Sequence, residues 1–306
     1  MQRRLGRAGR QAVYAVTDSR YPNGSNCGII AKNNAMAHLF DPGYGTEPFH
    51  TLVRDVPDVA VFPTKDFRTE WGPVFHRGRL DGSARLLVIG QDPAQHEIIA
   101  RRTLVGGAGH RIQGFLAKLG LTRSYVMVNT FVYSVYGQGG GTKHKNDPAI
   151  IAYRNRWFDA LLPGQVQGVV ALGQLADLAW QAWKSTPRGQ TFNGVYHAIT
   201  HPTQPESSSK GDAAKRKAAI TKMLQGWNTA LQGLSPVVTP DIQQSLVLYG
   251  AAFDPSELPD IPQEDFPAGS PAWMCGNADW ARRTGADDKL KRVTITVTIP
   301  KAFRPA

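Results

Sequence analysis

The stretch LLVIGQDPAQHE, residues 86–97, ends an apolar run with a concentration of polar side chains. Gln91 and Asp92 come directly after the run, and three more polar residues follow shortly: Gln95, His96 and Glu97. Carboxylate and imidazole groups are the ones that proteins most often use for proton transfer and for stabilising charge during a reaction. Asp92 could instead cap a turn before the proline. We interpret the last three residues as solvated loop residues, although they could instead help to fill the space that a small residue at position 94 leaves.

Three further apolar runs of strand length also end in polar residues. Asn129 lies in the run SYVMVNTFVYSV, Gly173 and Gln174 follow VQGVVAL, and His201 follows VYHAIT. Because ligands bind beyond the carboxyl ends of the strands in a parallel sheet, we expect these residues to converge with Asp92. The structural alternatives are that Asn129 satisfies neighbouring backbone groups and that His201 supports a turn before a proline.

Helical periodicity separates the four strands. It is found in GAGHRIQGFLAKLG, DPAIIAYRNRWFDALL and QLADLAWQAW, and in a closing segment from Asp212 to Leu231. Strands that alternate with helices indicate a parallel sheet that is covered on both faces. We therefore predict an α/β fold over residues 84–232, with a four-stranded parallel sheet flanked by helices on both faces.

The segments on either side of this core carry weaker patterns. Residues 1–83 contain turn-rich stretches such as YPNGSN and DPGYG, and we predict an amino-terminal extension packed on the core. Residues 233–306 are rich in proline and acidic residues, and their last part, KRVTITVTIP, alternates strictly. We predict an irregular carboxyl-terminal extension that ends in a strand. The stretch GQGGGT, residues 137–142, lacks the lysine of a nucleotide-binding loop and is predicted to be a flexible loop.

The net charge of +11 is concentrated in the middle of the chain. Residues 84–232 carry 17 Lys and Arg against 7 Asp and Glu, which favours a polyanionic partner such as nucleic acid. A generic solubilising surface is the alternative. Cys27 and Cys275 are the only cysteines, too few for a disulfide framework or a cysteine-bound metal centre. We expect no cofactor and no metal, since VGGAGHRIQG lies too far beyond its strand for a dinucleotide fingerprint.

The first residues, MQRRLGRAGRQAVYAV, are basic but lack the long apolar core of a signal peptide. No stretch of the sequence reaches the length of a membrane span. We therefore expect no membrane association and a cytoplasmic location, associated with the nucleoid if the protein is bacterial. The sequence carries no signal for an oligomeric state.

The order of the motifs resembles that of the uracil-DNA glycosylase superfamily. GQDPA is similar to the water-activating motif Gly-Gln-Asp-Pro-Tyr of the classical family, and HPTQP resembles an altered form of its second motif, His-Pro-Ser-Pro-Leu-Ser. RRTLVGGAGHRIQGFL, VMVNTF and VVALGQLA are similar to segments of the thermostable iron–sulfur family. The resemblance covers residues 84–232. It implies a DNA glycosylase that hydrolyses the N-glycosidic bond of uracil and so begins base excision repair.

The sequence departs from both families at several positions. The cluster cysteines of the iron–sulfur family are missing, so no iron–sulfur cluster is expected. Ala94 stands where the classical motif has its tyrosine, and Leu104 stands where an aromatic residue stacks on the base. The second motif lacks the leucine that enters the duplex. Ala94 therefore implies tolerance of substituents at the 5-position of uracil, and the missing leucine implies a preference for single-stranded DNA.

The resemblance also implies roles for individual residues. Asp92 would stabilise the cationic sugar and activate water, and His201 would donate a hydrogen bond to the uracil O2 as negative charge develops there. Asn129 would read the N3–H and O4 of the base. The side chains expected to line the base pocket are those of Gln91, Ala94, Leu104 and Asn129. The side chains expected to bind the DNA backbone are those of Thr203, Lys210, Lys215 and Arg216.

Two other functions fit the same residues. The chain could be a nucleic-acid-binding protein that kept the fold with weak chemistry, or a hydrolase that acts on free nucleosides or nucleotides. The glycosylase is favoured because the carboxylate and the imidazole are both present at their expected strand ends. The basic middle segment favours a polymeric substrate over a monomeric one.

Overall fold

A computed structural model describes residues 44–137 and 140–304 of the protein. The stretch YPNGSN, the first three residues of DPGYG and Cys27 lie outside these ranges. Within the described ranges, no helix has both the length and the apolar character that crossing a lipid bilayer requires.

A five-stranded sheet forms the centre of the fold. Its strands are β1 His76–Gly78, β2 Leu86–Gly90, β3 Tyr125–Asn129, β4 Gly168–Leu172 and β5 Val195–Ile199. Their spatial order is β1, β3, β2, β4, β5, with β2 to β5 parallel and β1 antiparallel to β3. The predicted four-stranded parallel sheet is thus confirmed. The antiparallel edge strand β1 was not expected, because its sequence HRG forms no apolar run.

Helices connect the strands, and some of them begin at a side chain that caps the first turn. They are α1 Phe49–Arg54, α2 Gln95–Ala100, α3 Gly107–Lys118, α4 Gly140–His144, α5 Pro148–Leu161, α6 Gln174–Lys184, α7 Pro187–Gln190, α8 Gln204–Ser209, α9 Ala213–Leu234 and α10 Asp288–Val293. Asp147 caps α5 by accepting a hydrogen bond from the backbone N–H of Ala149 at 2.9 Å. Asp212 caps α9 in the same way. The helices α3, α5, α6 and α9 confirm the four helices predicted from periodicity.

The two faces of the sheet pack against different helices. Leu87 and Ile89 of β2 join a buried cluster with side chains of α5 and α6. Leu86 and Val88 point to the opposite face and join a cluster with side chains of α3 and α9. Because both faces are covered, β2, β3 and β4 are buried along their whole length, which is why they are continuous apolar runs in the sequence.

The strand order creates a crevice at the carboxyl end of β2. The chain passes from β2 to β3 on one side, and it then returns across β2 to place β4 on the other side. Connections that leave neighbouring strands in opposite directions open a crevice beyond the strand ends. Gln91 and Asp92, which follow β2 directly, are placed at this crevice.

Two acidic residues hold the carboxyl-terminal extension against the core. Asp241 accepts hydrogen bonds from three successive backbone N–H groups, at residues 122–124. Asp265 lies 3.5 Å from Nε of Arg77 on β1 and accepts a hydrogen bond from the hydroxyl of Tyr125 on β3 at 2.8 Å. The side chains of Arg77 and Asp265 are both fully buried, so the extension packs tightly against the edge of the sheet at this contact.

Two local expectations are wrong in part. GQGGGT was expected to be a flexible loop, but α4 begins at Gly140 inside it. KRVTITVTIP was expected to be one strand, but its first residues belong to α10, where the Asp287 side chain accepts a hydrogen bond from the Leu290 N–H at 2.8 Å and fixes the first turn. The strand that remains, β7 Ile295–Val297, pairs antiparallel with β6 Ala281–Arg283.

Candidate active site

Two adjoining cavities open at the carboxyl ends of the parallel strands. The inner cavity has a volume of about 350 Å³, and the outer groove has a volume of about 830 Å³. Six residues line both: Gln91, Asp92, Ala94, Gln95, His201 and Thr203. Leu104 and Asn129 line the inner cavity. The structure therefore brings together all the side chains that the sequence assigned to catalysis and to the base pocket.

Asp92 is held in one orientation by two hydrogen bonds. Its Oδ2 accepts from the backbone N–H of Val135 at 2.9 Å, and its Oδ1 accepts from Nε2 of Gln91 at 3.1 Å. Burial raises the pKa of Asp92 to about 6, while these hydrogen bonds and the charges of Arg68 and Arg283 oppose the rise. Above pH 6 the group is an ionised carboxylate in a poorly solvated place.

His201 is a neutral hydrogen-bond donor. Its Nδ1 lies 3.3 Å from the backbone N of Thr203 and 3.2 Å from the Oγ1 of the same residue. Because a backbone N–H can only donate, Nδ1 is an acceptor and the proton of the neutral ring is on Nε2. Burial and the nearby charge of Arg111 lower the pKa of His201 to about 4. At neutral pH the ring can therefore donate from Nε2 without carrying a charge.

The loop that carries His201 is fixed from three sides. Arg111 of α3 donates to the carbonyl oxygen of Pro202 and forms a two-bond ion pair with Glu206, at 2.6 and 3.0 Å. The indole N–H of Trp227 donates to the carbonyl oxygen of Thr200 at 3.0 Å. Gly173 packs so closely at the end of β4 that a Cβ there would lie 3.2 Å from the Cβ of His201.

Asn129 has a buried amide with an unused donor. The residue is 5% exposed, and its Nδ2 has no hydrogen-bond partner among the residues that the structure describes. Its neighbour across the sheet is Gly90, and a Cβ at that position would lie only 2.2 Å from Oδ1 of Asn129. An unpaired buried donor costs roughly 1–3 kcal/mol, so it is rarely retained without a ligand to bind. Asn129 is therefore suited to bind a carbonyl oxygen in the inner cavity.

His96 and Glu97 are buried, so the expectation that they are solvated is wrong. The helix α2 starts directly after Ala94, and Glu97 folds back so that one carboxylate oxygen accepts from the Ala94 N–H. The other oxygen accepts from the Leu104 N–H at 2.7 Å. Burial raises the pKa of Glu97 to about 7. The sequence contains only the glutamate half of a capping box, because Ala94 stands where the box has Ser or Thr.

Leu104 lines the inner cavity, and its backbone has an uncommon conformation. Its φ is +54°, in the left-handed region, and its side chain is only 3% exposed. Such a conformation costs a side chain with a Cβ roughly 1 kcal/mol or more and is often found at functional sites. The hydrogen bond from its N–H to Glu97 holds this turn in place.

The side chains predicted to bind the DNA backbone are all exposed: Thr203, Lys210, Lys215 and Arg216. Thr203 lines both cavities, but the three basic residues lie at the end of α8 and the start of α9 and line neither. Two cations that sequence reasoning missed do line the outer groove, Lys222 on α9 and Arg283 on β6. Lys222 lies seven residues after Lys215, on the same face of the helix, and this spacing could have indicated it as a further DNA-binding candidate. Arg283 is brought to the groove by the tertiary fold and has no local signal.

The inner cavity combines three kinds of polar group. They are the carboxylate of Asp92, the neutral imidazole of His201 and the buried amide of Asn129. In the part of the chain that the structure describes, no group of three or more His, Cys, Asp or Glu side chains could hold a metal ion. The arrangement can bind a flat, polar ring, donate a hydrogen bond to it and stabilise positive charge next to it.

Comparison with known proteins identifies one family. Residues 77–227 match the family model described as the uracil DNA glycosylase superfamily. The match includes β2 to β5, all of β1 except its first residue, and the residues of both cavities except those of the carboxyl-terminal extension. None of the curated proteins compared with the chain matches it.

Proposed function

Residues 77–227 belong to the uracil DNA glycosylase superfamily, and from this membership and the site geometry we propose that the protein removes uracil from DNA. The family supports a glycosylase-type function in DNA repair. The observation that carries the finer proposal is the composition of the inner cavity. An ionised carboxylate and a neutral imidazole line it together with an amide whose donor is unpaired.

In this proposal the target nucleotide leaves the base stack and its uracil enters the inner cavity. The unpaired Nδ2 of Asn129 donates to the O4 of the base, and its Oδ1 accepts from N3–H. Cytosine presents an amino group in place of O4 and no hydrogen at N3. It would leave both hydrogen bonds unmade, so the amide discriminates against it.

Bond cleavage separates charge between His201 and Asp92. As the bond from C1′ to N1 breaks, its electron pair moves onto the uracil, and the Nε2–H of His201 donates to the developing oxyanion at O2. The carboxylate of Asp92 stabilises the cationic sugar, and it then accepts a proton from the water that attacks C1′. The uracil leaves as its anion and takes up a proton from water, Asp92 returns its proton to the solvent, and the strand is left intact with an abasic site.

The pKa values of both groups suit these roles. The pKa of His201 is about 4, so its ring is neutral at pH 7. A neutral ring donates a hydrogen bond to O2 that becomes stronger as negative charge develops on this oxygen during bond cleavage. An Asp92 carboxyl that titrates near pH 6 is ionised at pH 7, yet it is poorly solvated and therefore acts strongly on a nearby positive charge.

A direct test compares two substrates with the full-length chain. We expect release of free uracil from a single-stranded oligonucleotide that contains one deoxyuridine, and no measurable hydrolysis of free deoxyuridine at the same enzyme concentration. Equal activity on free deoxyuridine would support a nucleoside hydrolase instead. Binding of the oligonucleotide with no release of uracil would support a binding protein without chemistry.

A further inference from the structure

The carboxyl-terminal extension reaches the outer groove at one residue, Arg283. All the other residues that line the groove lie between Gln91 and Met223. The family match ends at residue 227, so Arg283 comes from a part of the chain that the family model does not include. Arg283 therefore adds to the outer groove a positive charge that the family domain itself does not provide.

The position of Arg283 is fixed by the residues before it. Trp280 and Ala281 are 1% and 0% exposed, and the Trp280 ring packs edge-on against the His96 ring at 4.7 Å. The Ala281 N–H donates to Nε2 of His96 at 3.3 Å. Since His96 belongs to α2, the helix that follows Asp92, the strand β6 is anchored to the element that forms the floor of the site.

The charge of Arg283 is available to a ligand. Its neighbour Arg282 is paired with Asp279 at 2.6 Å, whereas Arg283 is exposed and forms no ion pair within the described residues. Arg283 lines the outer groove together with Asp92, so its side chain is on the side of β6 that faces the groove. Asp92 accepts its hydrogen bonds from Gln91 and Val135 and forms no ion pair with Arg283, so the guanidinium is available to a ligand.

A second cation lines the groove from a different part of the fold. Lys222 of α9 is exposed and lines the groove together with Thr203 and Ser207, and α9 packs on α8, whereas Arg283 lies on β6, which packs on α2. A strand whose base occupies the inner cavity must cross this groove, with one phosphate on each side of the extruded nucleotide. Cations on two separate elements of the groove are suited to bind those two phosphates.

We propose that Arg283 binds a DNA phosphate next to the extruded nucleotide, so that the carboxyl-terminal extension forms one wall of the DNA-binding groove. The inference rests on the proposed function for the identity of the polyanion. A guanidinium can bind phosphate oxygens through two parallel hydrogen bonds, which gives geometric selection as well as attraction.

The test measures DNA binding apart from cleavage. Full-length wild type, Arg283→Ala and Arg283→Lys are titrated with a single-stranded oligonucleotide that carries a tetrahydrofuran abasic-site analogue, over a series of salt concentrations. We expect Arg283→Ala to weaken binding roughly tenfold and to reduce the slope of log affinity against log salt by about 0.7, the value for one lost contact to a single strand. Arg283→Lys should keep the slope, because the charge remains, and lose part of the affinity.

Lys289→Ala is the matched control. Lys289 lies in the same extension, is exposed and lines neither cavity, so its removal should change neither the affinity nor the slope. An unchanged slope and affinity for Arg283→Ala would overturn the inference, as would an equal loss in Lys289→Ala. Failure of the proposed function has a different signature, which is a wild type that releases no uracil, and the binding titration does not depend on that result.

Discussion

Two of the carboxyl groups that line the inner cavity, those of Asp92 and Glu97, have pKa values that are raised by burial. The pKa of Asp92 is about 6 and that of Glu97 is about 7, and the negative charge of Asp92 contributes to the rise in the pKa of Glu97. Both carboxylates accept two hydrogen bonds, so their positions are fixed even though their charges are poorly solvated. Glu97 supports the turn at Leu104, and Asp92 is left to act on the substrate.

The raised pKa of Asp92 predicts the pH dependence of uracil release. Cleavage requires the ionised carboxylate, so the single-turnover rate should rise with pH and level off above an apparent pKa near 6. Because His201 titrates near pH 4, its protonation should not lower the rate between pH 5 and 8. Rates measured with saturating enzyme separate this effect from DNA binding. A rate that falls steadily from pH 5 to pH 8 would contradict the assignment of Asp92.

Sequence reasoning at the residue scale succeeded where a side chain is tied to a strand end. Asp92, Asn129 and His201 follow apolar runs directly, so parallel-strand geometry is enough to bring them together. It failed for Glu97, because burial there depends on a helix start that only a capping-box signal indicates. It failed for Arg283 because the contact between β6 and α2 joins residues far apart in the chain, and no local pattern encodes that contact.

In the proposed function, the amino-terminal end of α2 is expected to set how much space surrounds the 5-position of the base. Ala94 lines both cavities, in the place where the classical motif has a tyrosine. We predict that wild type excises some 5-substituted uracils and that Ala94→Tyr narrows activity toward plain uracil, lowering the rate on the substituted bases roughly tenfold or more. Excision rates on oligonucleotides with each base measure the ratio.

Gln204→Tyr serves as the control for this substitution. Gln204 lines the outer groove and not the inner cavity, so a tyrosine there adds the same ring without filling the base pocket. Its preference between uracil and 5-substituted uracils should remain that of wild type. If Ala94→Tyr also leaves the preference unchanged, the wall at the 5-position is formed by another residue.

The contact of the extension with β1 and β3 should be a large contribution to stability. Asp265 is buried beside Arg77 and Tyr125, and its removal would leave the guanidinium buried without a countercharge. We predict that Asp265→Ala lowers the free energy of unfolding by about 3–5 kcal/mol, measured by urea denaturation. Asp260→Ala, at an exposed position in the same extension, should change it by less than about 0.5 kcal/mol. Equal losses in the two variants would show that the buried pair has no special role.

The elements themselves were predicted from two kinds of pattern. Continuous apolar runs gave the four parallel strands, because both faces of the sheet are covered and every residue of the run is buried. The strand β1 escaped prediction since His76 and Arg77 are polar, and they are buried only through contacts with distant parts of the chain. The short helices α2 and α4 escaped because they contain too few turns for periodicity to be visible.

At the scale of the whole molecule, the outer groove contains no apolar wedge among its described residues. The residues after His201 form α8, and the ion pair between Glu206 of this helix and Arg111 of α3 holds α8 against the core. None of the large apolar side chains that are exposed in the described chain lines the groove. Contacts to phosphates attract DNA without separating stacked bases, and unstacking costs a few kcal/mol in a paired duplex.

We therefore predict faster release of uracil from single-stranded DNA than from duplex DNA, and faster release from a mismatch than from a pair. Binding should weaken steeply with added salt, because the groove contributes cations such as Lys222 and Arg283. Rates of uracil release from matched single- and double-stranded oligonucleotides under single-turnover conditions give the comparison. Equal or faster release from the duplex would show that the protein opens paired DNA by a side chain outside this groove.

The central claim is that Asp92 and His201 carry out cleavage of the glycosidic bond. The most direct measurement is the single-turnover rate of uracil release from a single-stranded oligonucleotide by Asp92→Asn and His201→Ala, with affinity for the abasic-site analogue measured in parallel. Each variant should lose on the order of a hundredfold or more in rate while its affinity stays within a few-fold of wild type. Asp58→Asn and His50→Ala, at exposed positions outside both cavities, should match wild type. Rates within a few-fold of wild type for Asp92→Asn and His201→Ala would contradict the claim.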